Sequence, residues 1–301
     1  MKTILSILAV LMFAQGTPAA DEPVQISRAG LKAHYPDNNV FAMFKDSKDI
    51  VWFGTMFGLI MFDGSNYFRF KYDPSDSASI SNDDVISIFE DSKGFLWFGT
   101  YYGGLNRYDR RAGIFTRFLA ERKQISDNTV WCLAEDKKGV LWAGTQNGLN
   151  KFDGNKWETV DIANGDSASG KIYTLAIDDF DNLYAGTLGS GLALLGSDRE
   201  RSKFFNLNNE DKHSLNANFI RSSVAIPGRG VLVGTLKKGA FILDNKQISD
   251  RSFKFRSIPA PADPNDSQHT LAVFDATIYK GGNVILGTSD GLFSYDIGGD
   301  S

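Results

Sequence analysis

A sixteen-residue segment that recurs six times constrains the fold of this chain more than any other feature of its sequence. The second and third copies, VISIFEDSKGFLWFGT and VWCLAEDKKGVLWAGT, are identical at nine of sixteen positions. Every copy ends in Gly-Thr, and the glycines of these pairs are 45, 45, 42, 48 and 53 residues apart. A period of about 40–50 residues is typical of four-stranded propeller blades. The sequence therefore predicts an all-β chain, a β-propeller with six visible repeats of a four-stranded antiparallel blade.

Each repeat divides into four short strands, here called A to D. In the second copy, strand A is Val85–Glu90, strand B is Phe95–Thr100, strand C is Leu105–Tyr108 and strand D is Phe115–Phe118. β-Branched and aromatic residues fill these runs, whereas Asp and Gly occupy the turns between them. Strand A is apolar on both sides, which predicts burial between two neighbouring blades. Because no segment has a 3.6-residue apolar stripe, almost no helix is expected.

One position of strand B carries a large apolar residue in every copy. These residues are Trp52, Trp97, Trp142, Tyr184, Leu232 and Ile285. We interpret them as a ring of side chains that pack between blades, since a large aromatic ring buries much apolar surface. The alternative, in which the tryptophans stack on carbohydrate, would require them to be open to solvent.

The first twenty residues read as a secretory signal peptide. Lys2 provides the positive charge near the N-terminus, and an apolar run of eleven residues follows at Ile4–Ala14. Small residues up to Ala20 then suit a cleavage site. Eleven apolar residues are too few for a membrane-spanning helix, which needs about 20, and no later stretch is long enough. The expected product is a propeller of residues 21–301, periplasmic or secreted and not inserted in a membrane. It carries one cysteine, Cys132, which is expected to be a buried, inert thiol.

The repeat resembles that of the two-component-regulator propeller family. The family pattern contains, in order, an acidic pair, a Gly, a Leu-Trp-x-Gly-Thr run, a Gly-Leu pair and an aromatic residue followed by Asp. The second copy matches at Val85, Glu90, Asp91, Gly94, Leu96, Trp97, Gly99, Thr100, Gly104, Leu105, Tyr108 and Asp109. The third matches at Glu135, Asp136, Gly139, Trp142, Gly148, Leu149, Phe152 and Asp153. The fifth and sixth copies have lost the acidic pair and the Trp.

The resemblance implies an exported ligand-sensing module that acts in a two-component-type signalling system. Such propellers usually precede a membrane helix and a histidine-kinase or diguanylate-cyclase domain. In this sequence the propeller runs to Ser301 without them. A membrane-bound output protein is therefore an expected partner.

The sequence leaves two ways to complete the ring. The A-to-C cores of the blades are predicted at about residues 40–63, 85–109, 130–153, 172–196, 220–244 and 273–296, with no strand D after the last. In one alternative Val24–Arg28 supplies that strand and closes a six-bladed ring, which removes an exposed edge. In the other, suggested by the seven blades usual in the family, one blade of seven is lacking.

Ligand binding is predicted on the face that carries the D-to-A connections and the B-to-C turns, called the top face. These segments are varied, whereas the turns of the opposite face are short and repeated, and varied loops on a rigid scaffold are where binding usually resides. The predicted ligand is small and polar, possible examples being sugar-like molecules. The candidate residues are Phe57, Tyr101, Tyr102, Asn147, Arg221, Lys237 and Asp290. Trp131 is a further candidate if it is not buried between blades.

No catalytic motif and no cofactor site is visible in the sequence. Recurrent pairs such as Glu90-Asp91 are attributed to turn chemistry, and the formal net charge of −4, without a basic run, argues against nucleic acid. Two alternatives to a non-catalytic sensor stay open. One is a protein-interaction platform in the cell envelope. The other is a metal-dependent lyase, since His34, His213 and His269 all lie in top-face connections, where three imidazoles could bind a transition metal, and metal-dependent propeller lyases also use top-face histidines.

Overall fold

Each of the six repeats forms one antiparallel sheet in the computed structural model, and the sheets are the blades of a six-bladed β-propeller. The structure describes residues 39–162, 170–199, 202–206, 215, 217–258, 271–279 and 283–297. The predicted fold class is confirmed. The predicted signal peptide, the proposed closing strand Val24–Arg28 and all three histidines lie outside the described residues.

The strands follow the predicted order A, B, C, D within each blade. The first three blades are β1 (Val40–Lys45), β2 (Val51–Thr55), β3 (Gly58–Phe62) and β4 (Tyr67–Phe70); β5 (Val85–Glu90), β6 (Leu96–Thr100), β7 (Leu105–Asp109) and β8 (Ile114–Phe118); and β9 (Val130–Glu135), β10 (Leu141–Thr145), β11 (Gly148–Phe152) and β12 (Trp157–Val160). The last three are β13 (Ile172–Ile177), β14 (Leu183–Thr187), β15 (Leu192–Leu195) and β16 (Ser202–Phe205); β17 (Ile220–Ile226), β18 (Gly230–Thr235), β19 (Ala240–Asp244) and β20 (Arg256–Ile258); and β21 (Val273–Ile278), β22 (Val284–Thr288) and β23 (Gly291–Tyr295).

Helix is nearly absent from the described residues, as expected. It consists of one 3₁₀ turn at Ala120–Arg122 and the short helix α1 at Asn245–Ser249. Within the part of the chain that the structure covers, no helix is long and apolar enough to cross a membrane.

The large residues of strand B are buried at the boundaries between blades. Trp52, Trp97, Trp142 and Tyr184 are each at most 2% exposed. The Trp52 ring lies 5.3 Å from that of Phe98 in the following blade, between ring centres. These contacts confirm the packing interpretation, because a buried indole has no face left for a sugar.

In blades 1 to 5 the glycine of the Gly-Thr pair allows the next blade to approach closely. A Cβ added at Gly144 would lie 2.6 Å from the Cγ2 of Ile172, the first residue of the next strand A. Added at Gly186, it would lie 2.6 Å from the Cγ2 of Ile220. No side chain fits in that space, which explains why the repeat keeps Gly at a position that faces its neighbour.

The bottom face is held by the acidic pair of the repeat. The Asp136 carboxylate accepts a hydrogen bond from the Trp142 indole at 2.9 Å and others from the backbone of its own turn. The preceding residue, Glu135, binds the previous blade, because the backbone N–H and hydroxyl of Ser92 donate to its two oxygens at 2.6 and 2.8 Å. Glu90 binds Ser47 in the same way. These pairs are structural, as the sequence predicts.

A β-bulge near the start of strand A occurs in all six blades. The first residue of the strand pairs with the Thr of Gly-Thr and the third pairs with the Gly, so the second residue has no partner of its own in the ladder. A bulge re-aims the side chain that it releases. The released residues are Phe41, Ile86, Trp131, Tyr173, Arg221 and Phe274. Strand A of each of blades 1 to 5 lies beside strand A of the next blade, so these six side chains occupy the upper end of the innermost strands.

Candidate functional site

The released residues of three consecutive blades form a continuous cluster with the turn after strand β6. The rings of Trp131 and Tyr173 stack with centres 4.5 Å apart and planes inclined by 16°. The Tyr101 ring meets the Trp131 ring edge-on, with ring centres 5.7 Å apart, and the centres of the Tyr102 and Tyr101 rings are 4.2 Å apart. The guanidinium carbon of Arg221 lies 5.0 Å from the centre of the Tyr173 ring. We call these five residues the aromatic cluster.

The aromatic cluster combines flat apolar faces with polar atoms. The Tyr102 side chain is 69% exposed, while the other four members are half-buried. The Tyr101 and Tyr102 hydroxyls share a hydrogen bond at 3.2 Å. This bond, and then the charge of the Tyr102 side chain, raise the pKa of Tyr101 above its usual value. The site thus offers two hydroxyls, aromatic faces and one guanidinium.

Backbone hydrogen bonds fix the turn that carries the two tyrosines. The Tyr101 N–H donates to the carbonyl of Asp84 at 2.9 Å, and the Tyr102 N–H donates to the Thr129 hydroxyl at 3.3 Å. Tyr102 has a φ of +67°, a left-handed conformation that is uncommon for a residue with a side chain. Such strain persists where the surroundings enforce it, and it is often found at functional sites.

The structure brings only part of the predicted residue set together. Tyr101, Tyr102 and Arg221 share the aromatic cluster. Phe57, Asn147 and Lys237 are exposed in equivalent B-to-C turns of blades 1, 3 and 5, and among the described residues no hydrogen bond or ring contact joins them to the cluster. Asp290 is exposed in the corresponding turn of blade 6. These four residues stay candidates on the same face.

Three residues that the sequence analysis leaves out, or leaves open, belong to the site. Trp131 is half-buried and stacks on Tyr173, so it is not buried in the core between blades. Tyr173 is the equivalent residue of the next blade, and its position in the repeat register could have identified it. Gln146 accepts a hydrogen bond from the Trp131 indole N–H at 3.1 Å, and no sequence signal pointed to that contact.

The described residues bear on metal and thiol chemistry at two points. That part of the chain has no group of three His, Cys, Asp or Glu side chains that could hold a metal ion. The Cys132 thiol donates a weak hydrogen bond to the Ile172 carbonyl at 3.7 Å. Desolvation raises its pKa, which disfavours the reactive thiolate.

A family comparison identifies the repeat in the first three blades. The model described as "Two component regulator propeller" matches residues 34–57, 79–102 and 124–147. These ranges contain strands A and B of blades 1 to 3. No curated protein matches the chain in sequence.

Several solved structures share the fold at low sequence identity. The extracellular domains of two proteins assigned as hybrid two component systems of B. thetaiotaomicron superpose with TM-scores of 0.66 and 0.56, at 18% and 20% identity. The matches cover 87% and 85% of this chain, but only 32% and 39% of those domains. This chain therefore spans about a third of the length of these relatives.

An enzyme with a known ligand also has a similar fold. A catalytically inactive virginiamycin B lyase from Staphylococcus aureus, solved with quinupristin, gives a TM-score of 0.60 at 13% identity, over 89% of this chain and 88% of that one. At such identities the likeness concerns the fold alone. The repeat is the more specific finding: this chain is a β-propeller whose first three blades each contain a segment that matches the two component regulator propeller repeat.

Proposed function

We propose that this chain is the ligand-binding propeller of a two-component-type signalling system, that it acts outside the cytoplasm, and that it binds a small polar ligand without catalysis. The ligand occupies the top-face mouth of the central channel. In this proposal a membrane-bound output protein responds when the propeller binds its ligand.

The aromatic cluster is the observation that carries this proposal. It joins side chains of blades 2, 3, 4 and 5 at the end of the innermost strands. Packing alone does not account for it, because the inter-blade core is already filled by Trp52, Trp97 and Trp142. Flat aromatic faces with a few convergent polar groups are the usual composition of a small-molecule site.

A thermal-shift screen of the full chain tests the proposal, with oligosaccharides, amino acids and divalent metals as separate panels. A ligand at 100 times its Kd stabilises the folded state by about 2.7 kcal/mol. We expect Trp131→Ala and the double variant Tyr101→Ala/Tyr102→Ala to lose most of that stabilisation.

Phe180→Ala is the matched control. Phe180 is an exposed aromatic residue, 44% accessible, in the A-to-B turn of blade 4 on the opposite face. Its removal should leave ligand stabilisation unchanged. If stabilisation came only from a divalent metal and vanished in His213→Ala or His269→Ala, the lyase alternative would replace the sensor proposal.

A further inference from the structure

Arg221 is the one charged residue among the six that the strand A bulges release. The other five are apolar or aromatic: Phe41, Ile86, Trp131, Tyr173 and Phe274. The guanidinium carbon of Arg221 lies 5.0 Å from the centre of the Tyr173 ring, and Tyr173 in turn stacks on Trp131. A cation therefore ends a row of aromatic rings at the channel mouth.

The Arg221 guanidinium has no acidic partner within the described part of the chain. The guanidinium groups of Arg110 and Arg199 bind carboxylates on the bottom face, at 2.7 Å from Asp46 and 3.3 Å from Asp136. That of Arg221 takes part in no ion pair or hydrogen bond among the described residues, and its side chain is half-buried. It thus keeps its planar set of N–H donors available for an anion.

The turn beside Arg221 leaves the guanidinium uncovered. In blade 2 the B-to-C turn places Tyr101 against the released residue of the next blade. The corresponding turn of blade 4 is Leu188-Gly189, and Leu188 forms a β-bridge with Phe219, two residues before Arg221. A Cβ added at Gly189 would have no atom within 4 Å. This turn therefore has open space where blade 2 has an aromatic side chain, and a ligand can approach.

Three lysines add positive charge to the same sector of the top face. Lys171 directly precedes β13, and Lys237 and Lys238 lie in the B-to-C turn of blade 5. All three are exposed, and none forms an ion pair with a described residue. Among the described residues, the B-to-C turns of blades 4 and 5 and the segments just before β13 and β17 contain no Asp or Glu. Such a cluster of one sign attracts ligands of the opposite sign.

We propose that the ligand of the aromatic cluster is an organic acid, whose carboxylate binds the Arg221 guanidinium and whose ring packs on Trp131. This inference rests on the proposed function and specifies the charge of its ligand. Two guanidinium N–H groups donate to the two carboxylate oxygens, a pairing that the planar fork of Arg favours. Because Tyr173 lies in the blade between those of Arg221 and Trp131, the ligand extends across it.

The place of Arg221 argues against cationic and neutral ligands. Stacked aromatic rings by themselves attract cations. One face of Tyr173 is covered by Trp131, however, and the guanidinium of Arg221 already occupies a position over the ring, so it would repel a second cation there. A neutral ligand would displace water from the guanidinium without supplying a charged partner, which is unfavourable. An organic acid satisfies the guanidinium and uses the aromatic faces as well.

Isothermal titration calorimetry on the full chain tests this inference with two acids, each paired with a neutral counterpart. One pair is 3-phenylpropionate and 3-phenylpropionamide, and the other is digalacturonate and its dimethyl ester. The pairs separate aromatic acids from sugar acids as sources of the carboxylate. In at least one pair the acid should bind about tenfold or more tightly than its neutral counterpart, the difference expected for one charge-assisted hydrogen bond. Its affinity should also fall as NaCl is added, because salt screens the exposed lysines.

Two variants of one residue separate its charge from its geometry. Arg221→Gln should remove the preference for the acid and leave the affinity for the neutral counterpart unchanged. Arg221→Lys keeps the charge but lacks the planar fork, so it should retain part of the preference. Arg122→Gln, which removes an exposed arginine from the 3₁₀ turn, is the control and should change neither affinity.

The outcomes distinguish this inference from the proposed function. The inference is wrong if neither acid binds more tightly than its neutral counterpart, or if Arg221→Gln leaves the preference intact. If a neutral saccharide binds and loses affinity in Trp131→Ala, the channel-mouth site stands and the carboxylate subsite is excluded. If no compound depends on the aromatic cluster, both proposals fail.

Discussion

Asp46 and Asp136 show how a single carboxylate organises a blade. Each is buried, and each accepts hydrogen bonds from a buried indole, from two backbone amides of its own turn and from an arginine. Burial alone would raise the pKa of these carboxyls, but the hydrogen bonds outweigh it and hold both pKa values below the ordinary range. The negative form is therefore the one that the fold stabilises.

Asp136→Asn should destabilise the protein by about 1–3 kcal/mol, because it removes a charged acceptor from a buried network. The pH dependence has a definite sign. A carboxyl whose pKa is lowered by folding stabilises the fold above its unfolded pKa, near pH 4, and this contribution is lost as the pH falls through the folded pKa. Urea unfolding from pH 7 to pH 2 should thus show a smaller acid-dependent loss in the variant. Asp153→Asn, in an exposed turn, is the control and should change stability little.

Trp142→Ala should cost about 3–5 kcal/mol, as does removal of other large aromatic residues from packed cores. Trp142→Phe should cost less, because it keeps one aromatic ring at the blade boundary, although it removes part of the indole and the N–H that binds Asp136. Chemical denaturation measures both. Wild-type stability combined with loss of saccharide binding in Trp142→Ala would contradict the packing role.

The residues that sequence reasoning identifies and those it misses differ in whether their contacts recur with the repeat. Trp142 and Glu135 recur at equivalent positions of several copies, so their structural roles could be inferred from the pattern although their contacts reach neighbouring blades. Tyr173 gains its role only by stacking on Trp131 of another blade. Gln146 gains its role through one hydrogen bond to Trp131 in its own blade. Neither contact recurs at the equivalent residues of the other copies, so the repeat gave no sign of it.

At the scale of the element, strand B has one position that needs a large side chain and, two residues later, one that needs none. Its large residue fills the boundary with the next blade, and its glycine leaves room there for the strand A of that blade. The strand limits are close to those predicted; strand C of blade 2, for example, is Leu105–Asp109 in place of Leu105–Tyr108. The bulge in strand A was not predicted, because the repeat aligns without gaps and gives no sign of a shift in pairing.

Gly144→Ala should destabilise the protein by about 1–3 kcal/mol, the usual cost of overpacking a core. The new methyl group would lie 2.5 Å from the Cys132 sulfur and 2.6 Å from the Ile172 side chain, and both are part of packed strands. Gly196→Ala is the matched control, since its methyl would approach only the carboxylate of Asp198, at 3.1 Å. Equal thermal stability of the two variants would refute the close-approach explanation.

At the scale of the whole molecule, the two faces have different construction. The bottom face repeats a carboxylate contact to the large strand B residue in blades 1 to 4, whereas the top face changes in every blade. The repeat predicts the number and order of the visible blades, but it does not predict which segment completes the last blade and closes the ring. Within the described residues blade 6 has the three strands β21, β22 and β23, and the segment proposed to complete it lies outside them.

Deletion of residues 21–30 tests how the ring closes. If Val24–Arg28 pairs with strand C of the last blade, the deletion exposes a strand edge and should lower the melting temperature markedly. Differential scanning calorimetry of the mature chain with and without the segment measures this. An unchanged melting temperature would mean that the N-terminal segment contributes no strand.

The buried aromatic residue of each of blades 1 to 4 is covered by the blade that follows it in the chain, and this direction matters before the protein is complete. A chain that emerges from its N-terminus leaves Trp97, for example, without this cover until about another 45 residues have emerged and formed blade 3. At each such stage the last finished blade exposes apolar surface on the side where the next blade will pack. Chains truncated after blade 3 should therefore bind a dye for apolar surface more strongly than the full chain.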